Sequence, residues 1–234
     1  MKLCILENDY LDPAVQATYK GYGAMFERLL RQAGATGEFD IFNTFRGEYP
    51  ASFDAYDAVL LTGSRADAFS QVSWVLALKE KVQALLNTKK KLIGVCFGHQ
   101  LIALCLGAKV GRAPQGWGTG RMQYQWHAPE FPQAQGRTEV ALLASHQDQV
   151  FDLPSGAKLL AASEFCPVAA FGVGDHVFCV QPHPEFVEDY SAFLLDKRRA
   201  LLGEEKYNAS TASLAHGHDG LDLARMMVAF IDEK

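Results

Sequence analysis

Short apolar runs alternate with amphipathic helical patterns through the first half of the chain. Lys2–Glu7 and Leu92–Val95 have the composition of buried strands, whereas Gly21–Gly34 carries its apolar side chains on one helical face. Strands that alternate with helices build βαβ units, in which helices cover both faces of a mostly parallel sheet. This alternation predicts an open α/β fold.

The second half of the chain has a different pattern. Its strand-like runs are closely spaced, which predicts an antiparallel extension of the same sheet. Helical patterns follow at Tyr190–Leu202 and Leu221–Ile231, and the polar segment Gly203–Gly220 between them is predicted to be a surface loop. Because no linker divides the chain, residues 1–234 are expected to form one domain. The strand-like runs are Met122–Trp126, Thr138–Ala144, Leu159–Ala162, Val168–Val173 and Val177–Val180.

Charge and cysteine content limit the possible partners and the compartment. The 234 residues include 22 Lys and Arg against 27 Asp and Glu, a net charge of −5 at pH 7. This balance does not attract nucleic acid or an anionic membrane, so neither is expected as a partner. The apolar run Leu3–Leu6 is too short for a signal peptide or a membrane span. Five cysteines cannot all pair, and none forms a CxxC motif, which favours a reducing cytoplasm.

Cys96 lies in a sequence that is typical of a sharp turn between a strand and a helix. Glycine stands two residues before and two residues after it, at Gly94 and Gly98. This is the pattern of a nucleophile elbow, in which backbones approach so closely that a Cβ atom would collide. The amides and dipole at a helix N-terminus favour a thiolate. Cys96 is therefore the candidate nucleophile, and the other four cysteines suit structural roles.

His183 is the candidate base. It follows a strand-like run in the segment Gln181–Glu185, and catalytic groups collect at the carboxyl ends of strands in open α/β sheets. Glu185 lies two residues further on and points to the same side in an extended segment. A carboxylate beside an imidazole fixes its tautomer and stabilises the imidazolium. The order Cys, His, Glu predicts a triad, although His-Pro-Glu alone is also compatible with a simple exposed turn.

The remaining histidines and the glycine-rich segment are weaker candidates. His146 follows a strand, and a pocket residue and a simple turn are equally compatible with its position. His99 is expected to pack or cap in the helix after Cys96. His216 and His218 lack a third ligand at a standard spacing, so no metal site is predicted. Residues 116–120 lack the spacing of a phosphate loop and are interpreted as a plain turn.

The three motifs GVCFGHQ, PHPE and the Thr-Gly-Ser turn together resemble the class I, triad-type glutamine amidotransferases, notably the amidotransferase domain of GMP synthase. Tyr19–Gly120 is more similar still to stand-alone GMP-synthase-like proteins and to γ-glutamyl peptidases. The resemblance implies a flavodoxin-like open sheet. It also implies hydrolysis of a γ-glutamyl amide through a thioester, with glutamine or a γ-glutamyl compound as substrate and no cofactor.

The resemblance further implies a role for each matched residue. Cys96 would be the nucleophile, His183 the base and then the acid, and Glu185 the group that orients the imidazole. The oxyanion hole would combine the backbone amides of Phe97 and Gly63. The residues that would line the glutamine pocket are Ser64, Gln100, Ser145 and His146.

The sequence departs from this family in two respects. Many relatives read Gly-Gly-Pro after the relevant strand, whereas this chain has Thr62-Gly63-Ser64-Arg65. The identity of the donating amide then depends on the backbone conformation of the turn, and Arg65 becomes a candidate for substrate choice. In addition, nothing in the 234 residues resembles an ATP-pyrophosphatase or acceptor domain.

Three hypotheses about function remain open at this point. The first is a glutaminase-type amidotransferase that passes ammonia to a separate synthase. The second is a self-sufficient γ-glutamyl hydrolase that acts on a peptide, polyamine or other conjugate. The third is a catalytically silent binding module on the same fold, and the intact Cys, His and Glu weigh against it.

Overall fold

The computed structural model describes residues 1–128 and 136–233. The strands are β1 (Lys2–Glu7), β2 (Glu38–Asn43), β3 (Ala58–Leu61), β4 (Lys91–Val95), β5 (Val110–Arg112), β6 (Gly118–Trp126), β7 (Glu139–His146), β8 (Asp148–Val150), β9 (Lys158–Ala162), β10 (Ala170–Val173) and β11 (Val177–Val180). The α-helices are α1 (Pro13–Tyr19), α2 (Tyr22–Gln32), α3 (Ser73–Asn87), α4 (Phe97–Cys105), α5 (Glu188–Leu202), α6 (Glu204–Ser213) and α7 (Gly220–Asp232).

One large mixed sheet runs through the molecule. In the part of the chain that the structure describes, its strand order is β2-β1-β3-β4-β11-β10-β9-β6-β7. Neighbours are parallel from β2 to β11 and antiparallel from β11 to β7. Strands β5 and β8 form a separate antiparallel pair. The predicted fold, a mostly parallel sheet with an antiparallel extension, is confirmed.

The sheet is buried on both faces by helices. Because side chains alternate along a strand, Leu3 and Ile5 pack in the cluster that contains the buried faces of α2 and α7. Cys4 and Leu6 point the other way and pack with α3 and α4. A third apolar cluster joins the region of α1 to α5 around Tyr190. This burial on both sides explains the nearly continuous apolar sequence of the parallel strands.

Strand register brings the candidate residues together. Leu61 pairs with Gly94, and Val95 pairs with Val180, so β3, β4 and β11 end at the same edge of the sheet. The loops that follow these strands contain the turn after Leu61, Cys96 and His183. A site at the carboxyl ends of parallel strands is the usual location of ligands in open α/β sheets.

The segment 203–220 is mostly helical, so the prediction of a loop was wrong. It contains α6 and a short 3₁₀ turn, Leu214–His216. Hydroxyl groups attach this helix to β6: the Ser210 and Thr119 Oγ atoms lie 2.7 Å apart, and Ser213 Oγ accepts a hydrogen bond from the Arg121 amide. Without an apolar stripe, α6 lacks the periodicity by which helices are recognised.

Two further segments differ from the expectation. Residues 116–120 are not a plain turn, because β6 begins at Gly118, where a Cβ atom would lie 2.8 Å from His146 Nε2. Helix α1 was not anticipated, although Asp12 caps it through the Ala14 amide and Pro13 begins it. Within the described ranges, no helix has both the length and the apolar composition to cross a bilayer.

Candidate active site

Cys96 occupies a strained turn between β4 and α4. Its backbone angles are φ 52° and ψ −101°, which non-glycine residues rarely adopt. A Cβ atom on Gly94 would lie 2.8 Å from the backbone of Gly98, and one on Gly98 would lie 2.5 Å from the Leu61 carbonyl oxygen. Both glycines are therefore required by close backbone packing. The strand, sharp turn and helix expected around this cysteine are present.

His183 is held rigidly beside Cys96. Its amide donates to the Leu143 carbonyl at 2.8 Å, and its ring stacks on Phe186 with a centroid distance of 3.9 Å. Its Nδ1 atom lies 2.7 Å from Glu185 Oε1, and both side chains are buried. Nδ1–H donation to a carboxylate leaves Nε2 as the nitrogen available for proton transfer.

Burial alone would lower the pKa of His183. The Glu185 carboxylate and Cys96, which also makes a hydrogen bond to the imidazole, outweigh burial and raise the pKa of His183 to about 10. The imidazolium is therefore the favoured form of His183 at neutral pH. A protonated histidine next to a thiol stabilises the thiolate.

The turn after β3 is fixed by a buried polar network. The Asn8 amide donates to Thr62 Oγ1 at 3.0 Å, and the Asn8 side chain donates to the Thr62 carbonyl at 2.9 Å. A Cβ atom on Gly63 would lie 2.8 Å from His183 Cε1 and 3.6 Å from Cys96 Cβ. Only glycine fits at this point without displacing the imidazole. Gly63 is thus in direct contact with the Cys96–His183 pair.

Arg65 ties this turn to the loop after β1. Its backbone amide and Nε both donate to Asp9 Oδ2 at 2.8 Å, and Nη2 donates to Asp9 Oδ1 at the same distance. Its guanidinium also lies 4.4 Å from the centre of the Tyr10 ring. These contacts fix the turn through the side chain of Arg65. Because the guanidinium of Arg65 already forms an ion pair with Asp9, a role for Arg65 in selecting the substrate is less well supported.

The predicted residues converge on one pocket, with two exceptions. Glu185 lies behind His183, and the ring of Phe97 packs on Trp74, so Phe97 can contribute only its backbone amide from the first turn of α4. The predicted residues that line the pocket are Gly63, Ser64, Cys96, Gln100, Ser145, His146 and His183.

Gln100 and His146 make internal contacts on the floor of this pocket. Gln100 Nε2 donates to the Asp148 carbonyl at 2.8 Å and to Gln181 Oε1 at 3.0 Å, so both of its N–H bonds have protein partners. His146 Nδ1 lies 3.1 Å from the same Asp148 carbonyl. Burial lowers the pKa of His146 to about 4, which makes it neutral. His99 packs as expected, with its ring 5.1 Å from that of Phe171.

Several pocket residues were not anticipated from the sequence. Trp117 and Tyr22 add aromatic surface, and Arg198 adds a cation from α5. A signal for Arg198 did exist, because Tyr190, Leu194 and Arg198 recur every four residues and share one helical face. Among residues 1–128 and 136–233, no three His, Cys, Asp or Glu side chains converge as metal ligands.

Comparisons with known proteins agree with this geometry. Residues 17–194 match the family described as glutamine amidotransferase class-I. The chain belongs to the class I glutamine amidotransferase family. It is 36% identical to γ-glutamyl peptidase 3 of Arabidopsis thaliana over 76% of this chain and 75% of the peptidase. It is 34% identical to a GMP synthase of Aeropyrum pernix, but over only 56% of this chain and 25% of the synthase.

The fold agrees with the same family. A glutamine amidotransferase from Thermotoga maritima superposes with a TM-score of 0.79 at 18% identity, covering 100% of this chain and 99% of that structure. Class I glutamine amidotransferases and γ-glutamyl peptidases are hydrolytic enzymes, and the chain is an enzyme of this cysteine amidohydrolase group.

Proposed function

We propose that this protein hydrolyses a γ-glutamyl amide through a thioester on Cys96. The observation that carries the proposal is the strained Cys96 turn at the N-terminus of α4, directly beside the His183–Glu185 pair. Few structural roles require a cysteine at positive φ next to a buried imidazole and carboxylate. Strain of this kind persists where the surrounding structure enforces it, most often at active sites.

The proposed reaction has two halves. The Cys96 thiolate attacks the γ-carbonyl carbon, and the Phe97 and Gly63 amides stabilise the tetrahedral oxyanion. When the C–N bond breaks, His183 gives its proton to the departing amine, which leaves a thioester and a neutral imidazole. His183 then takes a proton from water as the water attacks the thioester, which releases glutamate and regenerates the thiolate. Glu185 keeps the imidazole oriented and stabilises its charge throughout.

For the substrate, we favour a γ-glutamyl conjugate over glutamine with ammonia transfer to a synthase. The supporting comparison is coverage: the γ-glutamyl peptidase match spans most of both proteins, whereas the GMP synthase match is confined to a quarter of the synthase. A chain that acts alone must bind its leaving group itself. We further propose that residues 1–234 form one domain and work in a reducing cytoplasm, in keeping with five free cysteines.

A substrate panel tests this function. Glutamine and a set of γ-glutamyl amides are incubated with the purified protein, and released glutamate is measured by mass spectrometry. Turnover of at least one conjugate, faster than that of glutamine, is expected. Rapid glutamine hydrolysis that requires an added synthase would favour the amidotransferase instead, and no cleavage of any compound would refute both.

Variants test the assigned roles. Cys96→Ala should abolish turnover and leave the far-ultraviolet circular dichroism spectrum unchanged. Glu185→Gln should be less damaging than His183→Ala, because a base remains when only its orientation is lost. Full activity of the alanine variant at position 96 would remove the nucleophile assignment.

A further inference from the structure

Arg198 is a cation in the pocket without a carboxylate partner. It lies on the pocket-facing side of α5, is partly buried, and donates from Nη1 to Ser145 Oγ at 3.0 Å. Its guanidinium lies 4.8 Å from the centre of the Trp117 ring. In the described ranges of the chain, no Asp or Glu side chain pairs with it. Its neighbour Arg199, in contrast, is exposed and forms a two-point ion pair with Glu204.

This arrangement costs free energy in the unliganded protein. Burial lowers the pKa of Arg198, yet an arginine stays charged in proteins, so the site retains a partly desolvated positive charge. The hydrogen bond to Ser145 uses one of five donors in the planar guanidinium. The remaining donors form the fork that binds a carboxylate at two points. The free donors of Arg198 therefore match a planar anion.

The position of Arg198 indicates which part of a substrate it meets. Phe186 stacks on His183, and Tyr190 packs edge-on against Phe186 at 4.8 Å between centroids. Tyr190 begins the helical face that continues to Leu194 and Arg198. Phe186, Leu194 and Arg198 thus line the pocket together with His183, the group proposed to protonate the departing amine. Gln100 and His146, which the resemblance assigns to the glutamyl portion, both contact the Asp148 carbonyl. The resemblance also assigns Ser145 to the glutamyl portion, but its hydroxyl accepts the hydrogen bond from Arg198 and so belongs to the Arg198 side of the pocket.

We propose that Arg198, with Ser145 and Trp117, binds a carboxylate on the leaving amine. The favoured substrates are then γ-glutamyl amino acids or peptides whose released amine bears a carboxylate near its nitrogen, rather than γ-glutamyl polyamines or glutamine. This inference rests on the proposed hydrolysis. The other possible source of the same anion is the α-carboxylate of the glutamyl group, and the experiment below separates the two.

The test compares γ-glutamylglycine with γ-glutamylglycinamide, which differ only in the leaving-group carboxylate. Arg198→Met should lower kcat/KM for γ-glutamylglycine by about 10- to 100-fold, chiefly through KM, because a charged hydrogen-bonded contact is lost. The same variant should change kcat/KM for γ-glutamylglycinamide by less than about 3-fold, on the order of the change expected at an uninvolved surface position. Arg198→Lys should recover part of the preference. Arg199→Met is the matched control and should leave both substrates unaffected.

Two outcomes would overturn the proposal. Equal losses on both substrates would assign Arg198 to the glutamyl carboxylate, and unchanged kinetics on both would make it structural. Thermal unfolding of each variant checks that a loss of activity is not a loss of fold, and the partial rescue by lysine gives a second check.

A binding measurement separates this inference from the hydrolysis proposal. Calorimetry on the Cys96→Ala protein should show tighter binding of γ-glutamylglycine than of the glycinamide, and the difference should vanish when Arg198→Met is added. If wild-type protein cleaves neither compound but this difference is observed, the subsite stands and the hydrolysis proposal fails. If cleavage occurs without any such difference, the subsite fails alone.

Discussion

The pocket has two walls that are built in different ways. The elbow wall is formed by the turns at residues 62–65 and 94–98, of which Gly63, Ser64, Arg65 and Cys96 line the pocket. The helix wall consists of the lining residues Trp117, Ser145, Leu194 and Arg198. In the elbow wall, backbone approaches backbone so closely that a single methyl group is not accommodated at three glycines. In the helix wall, the contacts are made by side chains, and a cation is left without a carboxylate partner from the described residues.

This difference separates reactivity from selectivity. The positions of the proposed nucleophile and oxyanion donors depend on backbone geometry, which tolerates little change. The proposed leaving-group contacts depend on side chains of α5 and β7 and on Trp117, which precedes β6. Substitutions in the elbow wall should therefore impair all substrates alike, whereas substitutions in the helix wall should change the ranking of substrates.

The largest effect is expected from Gly63→Ala, which tests the rigidity of the elbow wall. The added Cβ would lie 2.8 Å from His183 Cε1, so the imidazole or the turn must move. A drop in kcat of about 100- to 1,000-fold is expected for every substrate, as when an oxyanion donor is lost. Steady-state kinetics with γ-glutamylglycine and γ-glutamylglycinamide measure this drop. A loss restricted to one substrate would contradict the division between the walls.

The second effect concerns the protonation of His183. In Glu185→Gln, the pKa of His183 should fall by about 1 to 3 pH units, because an adjacent negative charge is removed. The imidazole proton resonances, followed by NMR from pH 5 to 11, measure this directly in both proteins.

The raised pKa of His183 in the wild-type protein also makes its stability depend on pH. The pKa of His183 is raised from 6.5 to about 10 in the folded protein. Its contribution to the unfolding free energy is therefore fully present below pH 6.5 and is lost as the pH rises to about 10. Wild-type protein should lose stability more steeply than Glu185→Gln across this window. Parallel curves from urea unfolding would show that the carboxylate does not hold the proton on His183.

Asp9→Asn should have a smaller effect, because it loosens the elbow wall without removing a catalytic group. Loss of the charge weakens the clamp on Arg65, and the turn that contains Gly63 becomes less well fixed. About a 10-fold decrease in kcat with little change in KM is expected for all substrates, since a small displacement of a donor is costly. Glu27→Gln, in an exposed ion pair with Arg31 on α2, is the control. A change of substrate ranking would assign Asp9 to selectivity instead.

The smallest effect is a gain of stability. Cys96→Gly relieves the strain of a positive φ at the elbow, although glycine also makes the unfolded chain more flexible. The net free energy of unfolding should be about 1 kcal/mol higher for Cys96→Gly than for Cys96→Ala. Urea unfolding of the two inactive variants provides the comparison. An alanine variant as stable as the glycine variant would mean that the turn is not strained.

The elbow wall was largely predictable, whereas of the helix wall only Ser145 was expected in the pocket. Gly94, Cys96 and Gly98 are close in sequence, so the local sequence is enough to predict the sharp turn that they form. Arg198 reaches the pocket because α5 packs near β7, and there its side chain contacts Ser145. A contact between residues so far apart in the chain cannot be predicted from the local sequence. The fold class followed from the alternation of strands and helices. Helix α6 escaped prediction because hydroxyl groups, and not an apolar stripe, attach it to the sheet.

The pairing of Val95 with Val180 has a consequence for folding kinetics. It joins positions 95 and 180, which are 180 − 95 = 85 residues apart, whereas β10 and β11 are joined by a short turn. Closing a long loop costs more entropy than forming a hairpin, so local pairs should form first. The thiol and the imidazole meet only after the distant pairing is complete. Recovery of activity during refolding should therefore lag behind recovery of secondary structure.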